Sequence, residues 1–203
     1  MAEIETHGTG QVERIADRAV IQLSFAQTGK DRTSAVSALT ERIGAVEAVL
    51  GRDGVQVRDR RLSVHQWEGK GRAGAVAQQS YTVRISDLTA LNDLIADLVT
   101  VEPSNLTGPY WELADHDGAR LEAQRAAIAD ARGRAEGYAV ALGRELGELV
   151  RITDSASNNG SVAVALGGAS PARERLNIAE LSLEPEPVTV SAACTMIWTI
   201  AGY

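Results

Sequence analysis

The sequence predicts an α+β fold in which a mostly antiparallel sheet carries helices packed on one face. Three observations support this class: strands of alternating polarity follow one another as hairpins, helices with a single apolar stripe separate the groups of strands, and no linker interrupts mid-chain. The 203 residues suffice for one large or two small cores. We expect a single domain with two closely packed β-α-β-β-like subdomains, at about 1–86 and 87–203.

The first two strands are predicted at 2–13 and 18–27. In the second strand Ile21, Leu23 and Phe25 point to one side, and the polar residues between them point to the other. A polar turn separates the two segments. We therefore expect them to pair as an antiparallel hairpin.

A helix is predicted from Asp31 to Leu50, with Asp31 as its N-cap and Gly51 just after its end. Its apolar residues recur every three or four positions and form one stripe: Val36, Leu39, Ile43, Val46 and Leu50. Two strands follow, at about 55–67 and 76–86. The glycine-rich segment 68–74 between them predicts a flexible hairpin tip.

The second half begins with a short helix from Asp87 to Thr100, which Pro103 ends. A strand follows at about 105–114. The longest helix is predicted from Asp117 to Leu142, with Asp117 as N-cap and Gly143 after its end. Its expected apolar stripe consists of Leu121, Ile128, Ala135 and Leu142, supported by Ala131 and Tyr138. The many alanines of this helix favour helicity and let its backbone approach a neighbouring sheet closely.

The last part contains a strand at about 148–154, a loop at 155–178 and a final strand at 187–200. The loop is rich in Ser, Asn, Gly and Ala, and a loop of that length is usually mobile or functional. The final strand has the clearest alternation, with apolar residues from Val188 to Ile200 on one face. We expect this long strand to leave an edge that another copy covers.

Composition excludes several classes of function. The net charge of −7 and the pI near 5.0 argue against general nucleic-acid binding. No run reaches the roughly 20 apolar residues that a membrane span needs. Cys194 is the only cysteine, so neither an intramolecular disulfide nor a zinc site built on several thiolates can form. We expect Cys194 to be buried and structural.

No group of residues points to catalysis. The three histidines are His7, His65 and His116, and Asp115-His116-Asp117 lacks a further ligand at a recognisable metal spacing. No serine or cysteine stands in a nucleophile turn. We therefore predict no catalytic, cofactor-binding or metal-binding residues, no cofactor, and a protein that is not an enzyme.

Two glycine motifs have structural explanations. Gly8-Thr9-Gly10 lacks the third glycine and following helix of a dinucleotide fingerprint. In the segment from Gly143 to Gly147, the first glycine is expected to end a helix and the last to permit a turn into a strand. Four arginines of the long helix alternate with acidic residues, which indicates either a solvated face with local ion pairs or a self-association surface: Arg120, Arg125, Arg132 and Arg134.

Several segments together resemble the SIMPL-domain family, also described as periplasmic immunogenic and oxidative-stress-defence proteins. The matching segments, in chain order, are Gly8-Thr9-Gly10, Ala16 to Ala19, Thr33 to Ala35, Gly54-Val55, Leu62 to Val64, Tyr81 to Leu88, Ala119 to Gly143, Leu146-Gly147 and Val188 to Thr199. The resemblance covers nearly the whole chain. It implies two β-α-β-β-like units and, in some members, a ring- or channel-like homo-oligomer, and it carries over no catalytic residues.

Two functions stay open at this point. The leading prediction is a non-enzymatic, self-assembling, stress-associated protein whose partner is a further copy of itself, with Tyr110, Trp111 and Tyr203 as candidate interface residues. The alternative is a small-molecule or redox-related binding protein that uses a groove near the 155–178 loop. Because the sequence starts at Met1 without an export signal, we expect a cytoplasmic location, although many relatives are exported.

Overall fold

A computed structural model of the chain describes residues 2–69, 72–155 and 183–201. These residues form two antiparallel sheets and three helices, which confirms the α+β class. A short 3-10 turn, Leu88–Ala90, precedes the second helix. The elements, in chain order, are β1 (Glu3–Ile15), β2 (Arg18–Gly29), α1 (Arg32–Leu50), β3 (Val55–Gly69), β4 (Arg72–Ile85), α2 (Leu91–Thr100), β5 (Asn105–Glu112), α3 (His116–Ala141), β6 (Glu145–Asp154) and β7 (Pro187–Ala201).

The elements divide into two compact units. The terminal unit contains β1, α3, β6 and β7, and its sheet has the order β1-β7-β6. The central unit contains β2, α1, β3, β4, α2 and β5, and its sheet has the order β3-β4-β2-β5. These units differ in extent from the expected subdomains at about 1–86 and 87–203, because the terminal unit takes strands from both ends of the chain.

The first helix of the central unit forms where the sequence predicts it. Asp31 accepts a hydrogen bond from the Ser34 backbone at 2.8 Å, and the Ser34 hydroxyl accepts one from the Asp31 backbone at 3.1 Å. The Ser34 backbone N–H and the Ser34 hydroxyl, which lies 2.8 Å from Asp31 Oδ1, both donate to the Asp31 carboxylate and hold its pKa below its ordinary value. Leu39, Val46 and Leu50 are buried against the sheet, so the predicted stripe is the packed face of α1.

The other elements of the central unit also follow the predicted order. The predicted helix Asp87–Thr100 is a 3-10 turn followed by α2, with Asp87 capping the turn. Strands β3 and β4 form the predicted hairpin and extend into its expected glycine-rich tip, of which Lys70 and Gly71 lie outside the described residues. The core consists of apolar residues from one sheet face and from both helices, including Ile21, Leu23, Phe25, Tyr81, Val83, Leu91 and Leu98.

The predicted hairpin of the first two strands is wrong. Strand β1 pairs with β7, from Glu3 opposite Thr199 to Ile15 opposite Pro187. The two residues between β1 and β2 close no turn, because Ala16 donates its backbone N–H to the Glu186 carbonyl and Asp17 donates to that of Glu112. Strands β1 and β2 therefore belong to different sheets.

The final strand is confirmed, and its C-terminal half has no free edge. Val190, Cys194, Met196, Trp198 and Ile200 are buried on the predicted apolar face. Because β7 lies between β1 and β6, its backbone is paired on both sides from Cys194 to Ala201, whereas from Pro187 to Ala193 β1 is its only strand partner among the described residues. The expectation that this strand leaves an edge for another copy is therefore wrong for its C-terminal half and stays a prediction for its N-terminal half. Of the predicted 155–178 loop, all but Ser155 lies outside the described residues.

The long helix forms, but its predicted apolar stripe is only partly right: Ala131 and Ala135 are buried, whereas its larger members are exposed. Leu121 and Leu142 are 54% and 62% exposed, and Ile128 is 40% exposed. The buried face is instead a row of alanines at four-residue spacing, which we call the alanine ridge: Ala119, Ala123, Ala127, Ala131, Ala135 and Ala139. Four residues are slightly more than one helical turn, so these small side chains follow one gently inclined row.

Two glycines of β1 allow the alanine ridge to approach the sheet closely. A Cβ atom added to Gly8 would overlap the Ala127 carbonyl oxygen, and one added to Gly10 would overlap that of Ala123. Between helix and sheet, the buried Thr6 hydroxyl donates to the Ala131 carbonyl at 2.9 Å. Backbone therefore packs against backbone here, and the glycines are required for steric reasons.

Candidate functional site

The histidines lie on three different elements. His7 is exposed on β1 with its Nδ1 2.9 Å from the Thr195 hydroxyl, His65 is exposed on β3, and His116 is the first residue of α3. In the described part of the chain, no three His, Cys, Asp or Glu residues are grouped so that they could hold a metal ion.

The acidic residues beside His116 have a structural role, and the predicted cap requires a correction. Asp115, and not Asp117, is the N-cap of α3, because its carboxylate accepts a hydrogen bond from the Gly118 backbone at 2.9 Å. Arg14 of β1 lies 3.6 Å from the same carboxylate and 2.7 Å from Glu122. This ion-pair group joins β1 to the first turns of α3.

Cys194 is buried on the face of β7 that packs against α3. Burial raises the pKa of its thiol, and the carboxylates of Asp154 and Asp130 add to the rise, while a hydrogen bond with the Gly8 backbone acts against it. The predicted burial is confirmed. Slow reaction of the thiol stays a prediction.

The glycine motifs and the arginines of α3 also have structural roles. Gly143 adopts a positive φ of 66° just after α3, as expected of a glycine that ends a helix. Gly147 lies inside β6, against the Thr199 hydroxyl, and not in a turn. Arg132 pairs with Glu136 at 2.8 Å and Arg134 with Asp130 at 3.1 Å, which are the local ion pairs that the mixed charges indicated.

A cavity of about 410 Å³ lies where α3 ends and β6 begins. Arg132, Glu136, Arg144 and Glu145 supply charged groups, and the apolar lining consists of Ala139, Val140, Leu146 and Trp198, beside Gly147. The indole N–H of Trp198 is buried and has no hydrogen-bond partner among the described residues. Leaving such a donor unpaired costs about 1–3 kcal/mol. The cavity offers mixed polarity, but it contains no pair of groups arranged as nucleophile and base.

The strand β6 presents a different kind of surface. It is the outer strand of its sheet, and no other strand in the described ranges pairs with its free edge. Leu149, Val150 and Ile152 are 43%, 52% and 48% exposed along it. We call this strand, with these three aliphatic side chains, the β6 edge. Exposed strand edges with apolar side chains are templates for pairing with another chain.

The expected aromatic interface residues are only partly placed on a surface. Tyr110 on β5 is 40% exposed, whereas Trp111 is half-buried and packs against the core of the central unit. Tyr203 lies outside the described residues. The sequence reasoning missed the β6 edge, although the run Leu149-Val150-Arg151-Ile152 is an aliphatic segment of the kind found in strands.

Among the helices of the described residues, not one combines the length and the apolar character needed to cross a membrane. Comparison with curated proteins gives no match. A family model described as SIMPL, protein of unknown function (DUF541), matches residues 4–198. That range includes every strand and helix described above, apart from the end residues of β1 and β7. The chain therefore belongs to the SIMPL family.

Proposed function

We propose that the protein is not an enzyme and that its molecular activity is assembly with further copies of itself through the β6 edge. The observation that carries the proposal is the exposure of three aliphatic side chains on an outer strand whose backbone is unpaired in the described structure. A second copy can supply both the missing backbone partners and an apolar surface.

The size of the apolar contribution supports this choice. Complete burial of one aliphatic side chain is worth about 1.5–3 kcal/mol, so covering three half-exposed side chains would contribute roughly half of that for each. Backbone hydrogen bonds along the strand would fix the orientation of the partner strand. The net charge of −7 opposes association at long range, and salt screens that repulsion.

The distribution of chemically active groups supports a non-enzymatic role. Asp115 caps a helix, His7 contacts the Thr195 hydroxyl, and Cys194 is buried with a raised thiol pKa. Each of these groups therefore has a structural explanation. The link to oxidative-stress tolerance stays a prediction that rests on the family resemblance alone.

Light scattering at micromolar protein concentration across a range of salt tests the proposal. The wild-type protein should form a discrete oligomer, and a Val150→Lys, Ile152→Lys variant should be monomeric or much more weakly associated. A Leu121→Lys, Val140→Lys variant is the matched control, because both residues are exposed aliphatics on α3. A monomeric wild-type protein would overturn the proposal, and an unchanged lysine variant would exclude the β6 edge.

The alternative function, binding of a small molecule, is favoured by the cavity at the end of α3. Its charged rim and the unpaired Trp198 N–H suit a small ligand with an acceptor group beside an apolar part. A monomeric protein whose melting temperature rises with such a ligand would support this function. Val140→Trp, which fills the cavity mouth, should then abolish the shift.

A further inference from the structure

In the part of the chain that the structure describes, the two sheets have four outer strands, and two of these strands are protected. On β1, the Thr9 backbone N–H donates to the Asp130 carboxylate of α3 at 3.0 Å, and Arg14 is held by Glu122. On β5, only eight residues long, Pro109 has no N–H to offer. Short outer strands, proline and covering side chains are the usual means of preventing edge pairing. The two outer strands that remain are β6 and β3.

These two strands carry opposite charges. Strand β6 has the exposed carboxylates Glu145, Glu148 and Asp154 against one arginine, Arg151, and within the described residues none of the three carboxylates lies within 4 Å of a cationic group. Its net charge is −2. Strand β3 has three arginines against two acidic residues and a net charge of +1. Opposite charges on two open edges favour pairing between them.

The arginines of β3 are available to a partner to different degrees. Arg60 is held by Glu47 at 2.8 Å and lies over the Tyr81 ring. Arg61 is 78% exposed, and its contact with Asp59 is long, at 3.8 Å. Arg58 makes one long contact, of 3.5 Å, with Gln56. Leu62, next to Arg61, is 53% exposed. The outer edge of β3 thus combines cationic groups with an exposed aliphatic side chain. These groups complement the carboxylates and the exposed aliphatic side chains of β6.

We propose that the partner of the β6 edge is strand β3 of a neighbouring copy. This inference rests on the proposed self-assembly and names the surface that receives β6. Pairing of β6 with β6 would bring two strands of net charge −2 together, and pairing of β3 with β3 would join two cationic strands. Because β6 and β3 are different surfaces, their contact is head-to-tail, and repetition closes into a ring or continues as a filament.

Charge reversal on each strand tests the inference. Variant A carries Arg58→Glu and Arg61→Glu on β3, and variant B carries Glu145→Arg and Glu148→Arg on β6. Each alone places like charges on both edges, so each should be monomeric by light scattering. An equimolar mixture of A and B restores both complementary contacts, as does one chain with all four changes. Both should recover an assembly of wild-type mass.

The controls have the same change in charge at other exposed positions. Arg120→Glu with Arg125→Glu on α3 matches variant A, and Glu3→Arg with Glu5→Arg on β1 matches variant B. Both should assemble like the wild-type protein. Circular dichroism and thermal melting establish that every variant is folded.

The outcomes separate this inference from the proposed function. If variant A assembles normally while variant B does not, β6 pairs with something other than β3, and the inference falls while self-assembly stands. If the mixture and the four-change chain both stay monomeric, the inference also falls. A monomeric wild-type protein would remove the proposed function and the inference together.

Discussion

The terminal and central units share one topology, but their helices pack against the sheets through side chains of different size. In each unit a first strand is followed by a helix and two further strands, and the third strand inserts between the other two: β1-β7-β6 in one sheet, β2-β4-β3 in the other. In the central unit, α1 reaches its sheet through large side chains such as Leu39 and Val46. In the terminal unit, α3 reaches its sheet through alanines.

The difference shows that one arrangement of elements can be stabilised by two kinds of contact. Large side chains remove much apolar surface from water and tolerate some repacking. The alanine ridge removes less surface per residue but brings the backbones of α3 and β1 together, where Thr6 bonds the Ala131 carbonyl. Substitutions should therefore act in opposite directions in the two units. Enlargement should harm the terminal unit, and truncation should harm the central unit.

The largest effect is expected from enlarging Gly8. Gly8→Val places a branched side chain against the Ala127 carbonyl oxygen, with the Ala131 Cβ already 2.7 Å from the first added carbon. The free energy of unfolding should fall by about 3 kcal/mol or more, because backbone on both sides must move. Chemical denaturation measures the loss.

Gly133→Ala is the control for this prediction. Gly133 lies on α3, where an added Cβ meets nothing within 4 Å, so the change should raise stability by roughly 0.5–1 kcal/mol. Equal effects of the two substitutions would show that the alanine ridge does not require the glycine.

The converse change in the central unit is Leu39→Ala. Leu39 is 2% exposed between α1 and the sheet, so truncation should cost about 2–5 kcal/mol through lost burial and a residual cavity. Denaturant unfolding of the variant measures this. Val99→Ala, at a position 38% exposed on α2, should change stability by less than about 0.5 kcal/mol. A cost at Leu39 no larger than at Val99 would contradict the packing described for α1.

The rate at which a thiol reagent labels Cys194 measures how well the folded terminal unit buries this residue. Because its thiol is buried and its pKa is raised by desolvation, a thiol reagent should label the folded protein far more slowly than the unfolded chain. Thr153→Cys in a Cys194→Ala background places a thiol on exposed β6 and should react rapidly. Labelling of native Cys194 at the unfolded rate would contradict its burial. Cys194→Ala itself should alter stability only modestly.

The smallest expected effect is the alkaline pH dependence of stability that Tyr81 contributes to the central unit. Burial and then the Glu47 carboxylate, which accepts a hydrogen bond from its hydroxyl at 3.2 Å, raise the pKa of Tyr81 to about 12. In the unfolded chain the hydroxyl ionises near its ordinary pKa of 10.0. The folded state therefore holds its proton longer, and this contribution to stability is complete below pH 10 and is lost as pH rises towards 12. Denaturation at several alkaline pH values measures the slope, which Tyr81→Phe should reduce.

Sequence patterns predicted the central unit better than the terminal one, and the reason is physical. The buried face of α1 could be predicted from Leu39, Val46 and Leu50, since large apolar residues at helical spacing are rarely all exposed. On α3 the same reasoning selected Leu121, Ile128 and Leu142, which are exposed. Alanine is common on either face of a helix, so its burial depends on a partner that the helix itself does not contain. The alanine content of α3 did indicate a close approach to a sheet, and the four-residue alanine spacing together with Gly8 and Gly10 could have indicated which face and which strand make it.

The strand pairing and the candidate surface were harder to predict for a related reason. The expected hairpin assumed that neighbouring strands pair, but Ala16 and Asp17 bond Glu186 and Glu112 instead. The partner of β1 lies near the other end of the sequence, so no local pattern could identify it. The β6 edge likewise depends on which strand is outermost. That property belongs to the assembled sheet and not to the residues from Glu145 to Asp154.

The pairing of β1 with β7 also has a consequence for the order in which the chain can fold during synthesis. The described strands and helices of the central unit lie between Arg18 and Glu112, so its sheet can form before β7 is synthesised, although Leu183, which packs against its core, follows later. Strand β1 precedes the central unit in the sequence, yet β7, its only strand partner among the described residues, follows it. Closing so long a loop is slow. The nascent chain must therefore carry β1 unpaired while the central unit and α3 are synthesised, and Glu3, Glu5 and Glu13 give the unpaired strand a charge that discourages premature association.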